Sequence, residues 1–193
     1  MNFTIGVDVG KFSLFCSVLD EKSNIYLQQE ININEKKDIE RGYQMMLAVE
    51  DWLIDFINTQ EITAEEVTLA IEEPLYLNNI KVSFALDRSV IACEMAALNV
   101  GVNCFSYANT TWKKAILGRG NASKEDISKW AEVKWKKHSF GVQDFKDAAC
   151  LALHQHILLY GAIPQSTPKS IAPIIKKPKV VAIKKKKGKK VVK

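Results

Sequence analysis

The chain has 193 residues, 47% of them hydrophobic, which is enough for one domain with a full apolar core. It contains no apolar run long enough to span a membrane and no signal peptide ahead of its first predicted strand, which argues against a membrane-embedded or secreted protein. Its four cysteines lie in apolar segments without Cys-x-x-Cys spacing, so we expect buried thiols and neither a zinc site nor a disulfide scaffold.

The net charge of +5 hides a sharp division along the chain. Residues 163–193 hold eleven of the 27 basic residues, no acidic residue and four of the five prolines, so residues 1–162 keep 16 basic and 22 acidic residues, a net charge of −6. A segment so rich in lysine and proline cannot bury enough apolar surface to fold. We therefore expect a globular domain at 1–162 and a disordered tail at 163–193. The tail is typical of an arm that binds a polyanion, although an import signal, an acidic-membrane contact or an aid to solubility would look alike.

Three successive strands are predicted at the N-terminus, over residues 3–10, 13–19 and 25–31. In the first, large apolar side chains alternate with small ones, and Asp8 belongs to the small-residue face together with Thr4, Gly6 and Gly10. The large face is predicted to be buried. The small face leaves room for another element to pack above the strand, beside Asp8.

The rest of the domain alternates helices and strands. A helix is predicted over about 39–58, followed by a strand at 67–72 that repeats the small-residue pattern around Glu72. A long helix over about 79–99 and a strand at 103–107 follow. Predicted next are a cap at 109–111 with a short helix at 112–117, a break at 118–122, a helix from Ser123 to about Lys137, and a last helix that opens at Asp144 and runs to Tyr160. This order indicates an α/β fold with a mixed sheet.

Four carboxylates, Asp8, Glu72, Asp144 and Asp147, are the candidate site. If the two acid-bearing strands are neighbours and the last helix crosses their small face, these side chains meet. Clustered carboxylates repel one another, which favours a site for hard divalent cations with oxygen ligands, above all Mg²⁺. Alternatively, Asp144 and Asp147 cap their helix, Glu72 ends its strand in solvent, and Asp8 stabilises a turn. Capping and turns leave the matching small faces of the two strands unexplained.

Four segments occur in the order found in a known family. They are Ile5-Gly6-Val7-Asp8-Val9-Gly10, Ala70-Ile71-Glu72-Glu73, the stretch from Tyr107 through Lys113 to Lys124, and Asp144-Phe145-Lys146-Asp147-Ala148-Ala149. Over about residues 3–160 the chain resembles the RuvC-type Holliday junction resolvases of the ribonuclease H-like superfamily, including the small resolvases of phages and large DNA viruses.

The resemblance implies a five-stranded mixed ribonuclease H-like sheet flanked by helices. It implies a metal-dependent, structure-selective DNA endonuclease that resolves four-way junctions by paired nicks, acting as a homodimer whose interface uses the helix at 79–99. The four acids would hold two Mg²⁺ ions about 4 Å apart, with Mn²⁺ able to substitute. Such a protein is expected in the cytoplasm, or in the host cytoplasm or nucleus if it is viral. Besides the acids, Lys113 and Lys124 match family lysines that support DNA contact and transition-state charge. Lys114, Arg119 and Tyr76 are further candidate DNA contacts.

Two departures from the family pattern affect these expectations. Val9 replaces the usual proline after the first aspartate, which a strand tolerates. Leu75 stands where the family often has an aromatic wedge, and the adjacent Tyr76 could stack on an opened base or pack on the protein. Lys113 and Lys124 could also be ordinary helix-surface lysines.

Other functions remain open at this point. A broader debranching nuclease for flaps and forks, a non-catalytic DNA-binding module and a transposase-type nuclease share these features, although a transposase would need a further domain. An actin-like phosphotransferase starts with a similar strand but needs a second lobe. His154-Gln155-His156 places its two rings on different sides of a helix, which argues against zinc. His154 would either assist the site or be an ordinary core or surface histidine. The candidate residues for helix packing, or for an oligomer or DNA face, are Trp112, Trp130 and Trp135.

Overall fold

A five-stranded sheet with helices on both faces makes up the part of the chain that the computed structural model describes, residues 1–74 and 79–161. The strands are β1 (Phe3–Val9), β2 (Ser13–Leu19), β3 (Ile25–Asn32), β4 (Val67–Glu72) and β5 (Asn103–Tyr107). The helices are α1 (Asp38–Gln60), α2 (Ile80–Val100), α3 (Asn109–Leu117), α4 (Lys124–Lys134) and α5 (Gln143–Tyr160), with a 3₁₀ turn at Ala64–Glu66. Leu75, Tyr76 and the predicted tail lie outside the described residues.

The sheet is mixed, with the strand order β3-β2-β1-β4-β5. The first three strands form an antiparallel meander, while β1, β4 and β5 run parallel. The parallel pairing of Val7 with Ile71 brings the C-terminal ends of β1 and β4 together. The two acid-bearing strands are therefore neighbours, the condition under which the sequence predicted that Asp8 and Glu72 come close.

The two faces of the sheet bury different kinds of side chain. Ile5 and Val7 of β1 and Leu69 and Ile71 of β4 are fully or almost fully buried in the core that also contains the apolar faces of α1 and α2. This is the face that the alternation in the sequence predicted to be buried.

The small-residue face packs against α5. A Cβ atom on Gly6 would collide with the backbone oxygen of Ala148 and lie 2.6 Å from the backbone nitrogen of Ala152. Only glycine lets the helix backbone approach β1 this closely. The space predicted above β1 is therefore filled by α5, which carries two of the four acids.

A second core joins α3, α4 and α5. Trp112, Trp130 and Trp135 are 0%, 7% and 6% exposed, and Trp135 donates its indole N–H to the backbone oxygen of Ser23 at 2.8 Å. The three tryptophans therefore pack the helices together, and the alternative of an exposed oligomer or DNA face is wrong for them.

Three predicted helix boundaries need correction. Helix α3 begins at Asn109 with Ala108 as its N-cap, so residues 109–111 are helical and do not form the cap. Helix α4 begins at Lys124 with Ser123 as its N-cap, and it ends at Lys134, before the predicted Lys137, because residues 135–137 form a turn. Helix α5 begins one residue before Asp144, with Val142 as its N-cap and no side-chain cap. The capping alternative for Asp144 and Asp147 is therefore wrong.

Three of the four cysteines are buried thiols, as the sequence predicted. All four are free thiols; Cys16, Cys93 and Cys150 are buried, and Cys104 is partly buried. Within residues 1–74 and 79–161, no helix has the length and apolar character needed to cross a membrane.

Candidate metal centre

Three carboxylates meet where the end of β1 lies beside the start of α5. Asp8, Asp144 and Asp147 each present one carboxylate oxygen within 4.8 Å of the other two. Asp8 is the last residue but one of β1, while Asp144 and Asp147 are three residues apart near the start of α5 and so lie on one side of it. The close contact at Gly6 sets the height of α5 above the sheet and brings these groups into reach.

The first turn of α5 is also fixed to β2. Ser17 donates its hydroxyl to the backbone oxygen of Phe145 at 2.8 Å. The Phe145 ring packs edge-on against Phe15, with ring centroids 5.2 Å apart. Since Phe15 is the cross-strand partner of Asp8, both sides of the three-acid cluster are anchored to the same part of the sheet.

The cluster carries an electrostatic cost. Burial, followed by repulsion from Glu72, Asp147 and Asp144, raises the pKa of Asp8 to about 8, and Lys124 offsets part of this. Burial also raises the pKa of Asp147, although the amide of Gln143, which donates to its Oδ1 at 2.8 Å, opposes that shift. A divalent cation would remove the repulsion and supply positive charge to buried oxygens. The donor set therefore fits a hard, oxygen-loving metal.

Glu72 lies beside this cluster but does not belong to the three-acid group. Its Oε1 accepts a hydrogen bond from the side-chain amide of Asn109 at 2.6 Å, and its Oε2 accepts one from the indole N–H of Trp112 at 2.9 Å. Glu72 remains close enough to raise the pKa of Asp8. Four carboxylates were predicted to meet. Three of them do, and the fourth, Glu72, lies next to them and is hydrogen-bonded to α3. The next residue, Glu73, lies beyond the end of β4 and is exposed.

Two of the predicted basic residues lie beside the carboxylates. The ammonium of Lys124 is 3.5 Å from Asp144 Oδ1, and its side chain is 67% exposed. Burial alone would lower the pKa of Lys124, but Asp144 and Asp147 outweigh it and raise that pKa. Lys113 lies over the ring of Trp112, 5.4 Å from its centroid, and is near enough to lower the pKa of Asp147.

The remaining predicted DNA contacts have different surroundings. Lys114 is exposed in the last turn of α3. Arg119 forms an ion pair of 2.5 Å with Asp126 in the first turn of α4. Tyr76 falls in the segment outside the described residues.

The two histidines do not form a metal pair. His154 is 6% exposed and packs its ring edge against Tyr107, and its Nε2 has no hydrogen-bond partner in the described part of the chain. His156 Nδ1 lies 3.5 Å from the Thr4 hydroxyl. Burial lowers the pKa of both rings. Both rings lie in the core, which is one of the alternatives given for His154.

Three residues of the site were not predicted from the sequence: Asn109, Trp112 and Gln143. Asn109 was interpreted as part of a helix cap, and Trp112 as a residue of helix packing or of an oligomer or DNA face. A signal existed for Trp112, because a buried indole N–H needs an acceptor. The pairing of Glu72 with Tyr107 places the segment after β5 beside that carboxylate. Gln143 precedes Asp147 by four residues, a spacing at which helical side chains meet.

The sheet order and the helix across its small face are those of the ribonuclease H-like fold. The solved structure of T. thermophilus RuvC in complex with a Holliday junction substrate matches with a TM-score of 0.67 and 18% identity, over 86% of this chain and all of that one. The family model described as crossover junction endodeoxyribonuclease RuvC matches residues 4–155. The chain therefore belongs to the RuvC family.

Curated relatives carry the same name, crossover junction endodeoxyribonuclease RuvC. The protein from Ehrlichia canis is 27% identical over 154 residues, which cover 77% of this chain and 92% of that relative. The protein from Pelobacter propionicus is 27% identical over 110 residues, covering 55% of this chain. The chain spans 62% of the length of that second relative.

Proposed function

We propose that this chain is a metal-dependent DNA endonuclease that resolves Holliday junctions by paired nicks. The observation that carries the proposal is the convergence of Asp8, Asp144 and Asp147 within 4.8 Å at the sheet edge, in a chain of the RuvC family. Neighbouring carboxylates of this kind are the ligands used by nucleases that depend on divalent cations.

The metal we propose is Mg²⁺, bound as two ions, with Mn²⁺ able to substitute. Asp8, Asp144, Asp147 and Glu72 would hold it. The raised pKa of Asp8 supports this proposal because it marks the charge that a cation would balance. When bound, the ions would polarise the scissile phosphate and lower the pKa of an attacking water.

The protein's own cations act on the DNA in this proposal. The exposed ammonium of Lys124, 3.5 Å from Asp144, can reach a phosphate at the site and balance charge that develops during cleavage. Lys113, whose ammonium lies over the Trp112 ring, would contact a phosphate of the same DNA strand. Lys114, Arg119 and Tyr76 would contact DNA further from the reacting phosphate. Arg119 would have to exchange its partner Asp126 for a phosphate.

We also propose the division of the chain into a nuclease domain at 1–162 and a basic tail at 163–193. The acidic domain repels phosphate until metal binds, and eleven lysines in the tail would supply long-range attraction to DNA. The location we propose for the protein is the cytoplasm, or the host cytoplasm or nucleus if the protein is viral.

Paired nicks require two active sites, so we propose a homodimer. Helix α2 exposes a row of large apolar side chains, and α1 exposes others next to it. They are Ile80, Phe84, Ile91, Met95 and Leu98 on α2, and Ile39, Tyr43 and Leu47 on α1. An apolar surface of this kind supports burial against a second copy.

A broader debranching activity is the second candidate. The observation that favours it is Leu75, which stands where the resolvases often have an aromatic wedge. Without that wedge, selectivity for four-way over three-way junctions and flaps would be weaker.

A cleavage assay on labelled substrates tests both candidates. The purified full chain is incubated with a four-way junction, a three-way junction and a flap, with Mg²⁺ and with EDTA. Junction resolution predicts symmetric nicks in the four-way junction that need Mg²⁺. Equal cutting of all three substrates would favour the debranching enzyme, and no Mg²⁺-dependent cutting of any of them would contradict the nuclease proposal.

A further inference from the structure

The carboxylate of Glu72 is held by two neutral donors from one helix. Asn109 and Trp112 lie three residues apart in α3, and each donates to a different oxygen of Glu72, at 2.6 and 2.9 Å. Two donors on separate oxygens fix the plane of a carboxylate, which one donor cannot do. Each oxygen still keeps a lone pair with which it can bind a cation.

Both donors are placed by the sheet. Glu72 is the last residue of β4 and pairs with Tyr107, the last residue of β5. Helix α3 starts two residues later, so its first turn must lie beside Glu72. Trp112 is fully buried, and its indole is held by the core that α3 shares with α4 and α5. The Trp112 N–H therefore cannot follow a moving carboxylate.

We infer that Asn109 and Trp112 are positioning residues that orient Glu72 as a metal ligand, an inference that rests on the proposed function. Removing either donor would let the carboxylate rotate or swing away from Asp8. Hydrogen bonds from neighbouring residues to a ligand typically change metal affinity by about 10–100-fold. The expected defect is weaker metal binding in a folded protein.

The same indole connects the metal ligand to a DNA-facing cation. Lys113 lies over the Trp112 ring at 5.4 Å while the edge of that ring donates to Glu72. When Lys113 engages a phosphate, the ring against which it rests is the one that orients Glu72. Helix α3 therefore positions the Glu72 carboxylate and, through Lys113, the bound DNA strand relative to each other.

The test compares Asn109→Ala and Trp112→Phe with two matched controls. Trp130→Phe removes the same atoms from another buried tryptophan of the same core, and Thr111→Ala shortens an exposed neighbour of Asn109 in α3. Mg²⁺ affinity is measured without DNA, from the ¹⁵N–¹H signals of the tryptophan indoles. The Mg²⁺ concentration for half-maximal junction cleavage is measured separately.

We expect the Trp112 signal, identified by its loss in Trp112→Phe, to shift on Mg²⁺ addition in the wild-type chain. We expect Asn109→Ala and Trp112→Phe to raise the Mg²⁺ requirement for cleavage by about 10–100-fold, with cleavage restored at high Mg²⁺. Asn109→Ala should weaken Mg²⁺ binding in the indole titration as well. Both controls should stay within about twofold of wild type in both measurements.

The inference is overturned if the Trp112 signal does not respond to Mg²⁺, or if the two variants match their controls in Mg²⁺ requirement. It is also overturned if high Mg²⁺ does not restore cleavage, because the defect is then one of general structure. A wild-type chain that binds Mg²⁺ but cleaves no DNA would contradict the proposed function and leave the indole titration as the test of Glu72 positioning.

Discussion

Asp8 is the carboxylate of the site whose pKa is raised most strongly. Its pKa of about 8 lies far above the ordinary value near 4, so its ionisation in the metal-free protein opposes folding as pH rises from about 4 to about 8. The neighbouring carboxylates Glu72, Asp147 and Asp144 add to this cost, and a bound cation would offset it. Stability lost in this way is returned when a cation binds.

We therefore predict that Asp8→Asn stabilises the protein in EDTA. The gain should be small near pH 4 and grow to a few kcal/mol, to order of magnitude, by pH 8–9. Urea unfolding across this pH range measures it, with Asp55→Asn, an exposed residue of α1, as the control. A wild-type chain as stable as Asp8→Asn at pH 9 would contradict the charge cost.

The sequence indicates which acids face the site, but it does not define where their carboxylate oxygens point. Strand alternation chose Glu72 over Glu73, because parity depends only on the chain itself. Where the Glu72 oxygens point depends on Asn109 and Trp112, whose helix is distant from β4 in the sequence and reaches it only through the β4–β5 pairing.

The packing of α5 on β1 is the element-scale feature on which the site depends. The contact between Gly6 and the backbone of Ala148 and Ala152 leaves no room for a side chain. The sequence predicted this face from its small residues. It could not define the starts of α3 and α5, because those helices begin without a side-chain cap and so lack the usual sequence signal.

We predict that Gly6→Ala destabilises the fold by about 3 kcal/mol or more, because the clash is with backbone atoms that cannot move aside. It should also separate Asp8 from Asp144 and Asp147 and weaken metal binding. Thermal unfolding and a Mn²⁺ titration measure the two effects.

The matched control is Gly141→Ala, where nothing lies within 4 Å of the added Cβ. It should change stability by less than about 1 kcal/mol. A Gly6→Ala protein as stable as this control would show that α5 does not pack as closely as described.

At the scale of the molecule, the predicted five-stranded mixed sheet is confirmed, since the order of strands and helices admits few arrangements. The tail and the dimer stay predictions. Apolar residues at helical spacing identify a helix in a sequence, but which of them face the core and which face a partner depends on tertiary packing. The exposed row on α2 became visible only in the structure.

We predict that Ile91→Glu and Met95→Glu, 49% and 43% exposed on α2, convert a dimer into monomers. A buried, unpaired carboxylate at such an interface is strongly unfavourable. Sedimentation measures the change, with Leu158→Glu on α5 as the control. The monomers should nick one strand without paired cutting. Ile91→Glu protein that remains dimeric would place the interface elsewhere.

The most direct test of the metal-nuclease account compares cleavage with binding in Asp8→Asn and Asp147→Asn. Both variants should bind a four-way junction with near wild-type affinity and cut it at least about 100-fold more slowly in Mg²⁺, while Asp55→Asn cuts normally. If both variants nicked DNA at the wild-type rate, the account would be contradicted. The carboxylates where β1 meets α5 would then not bind the metal that cleavage requires.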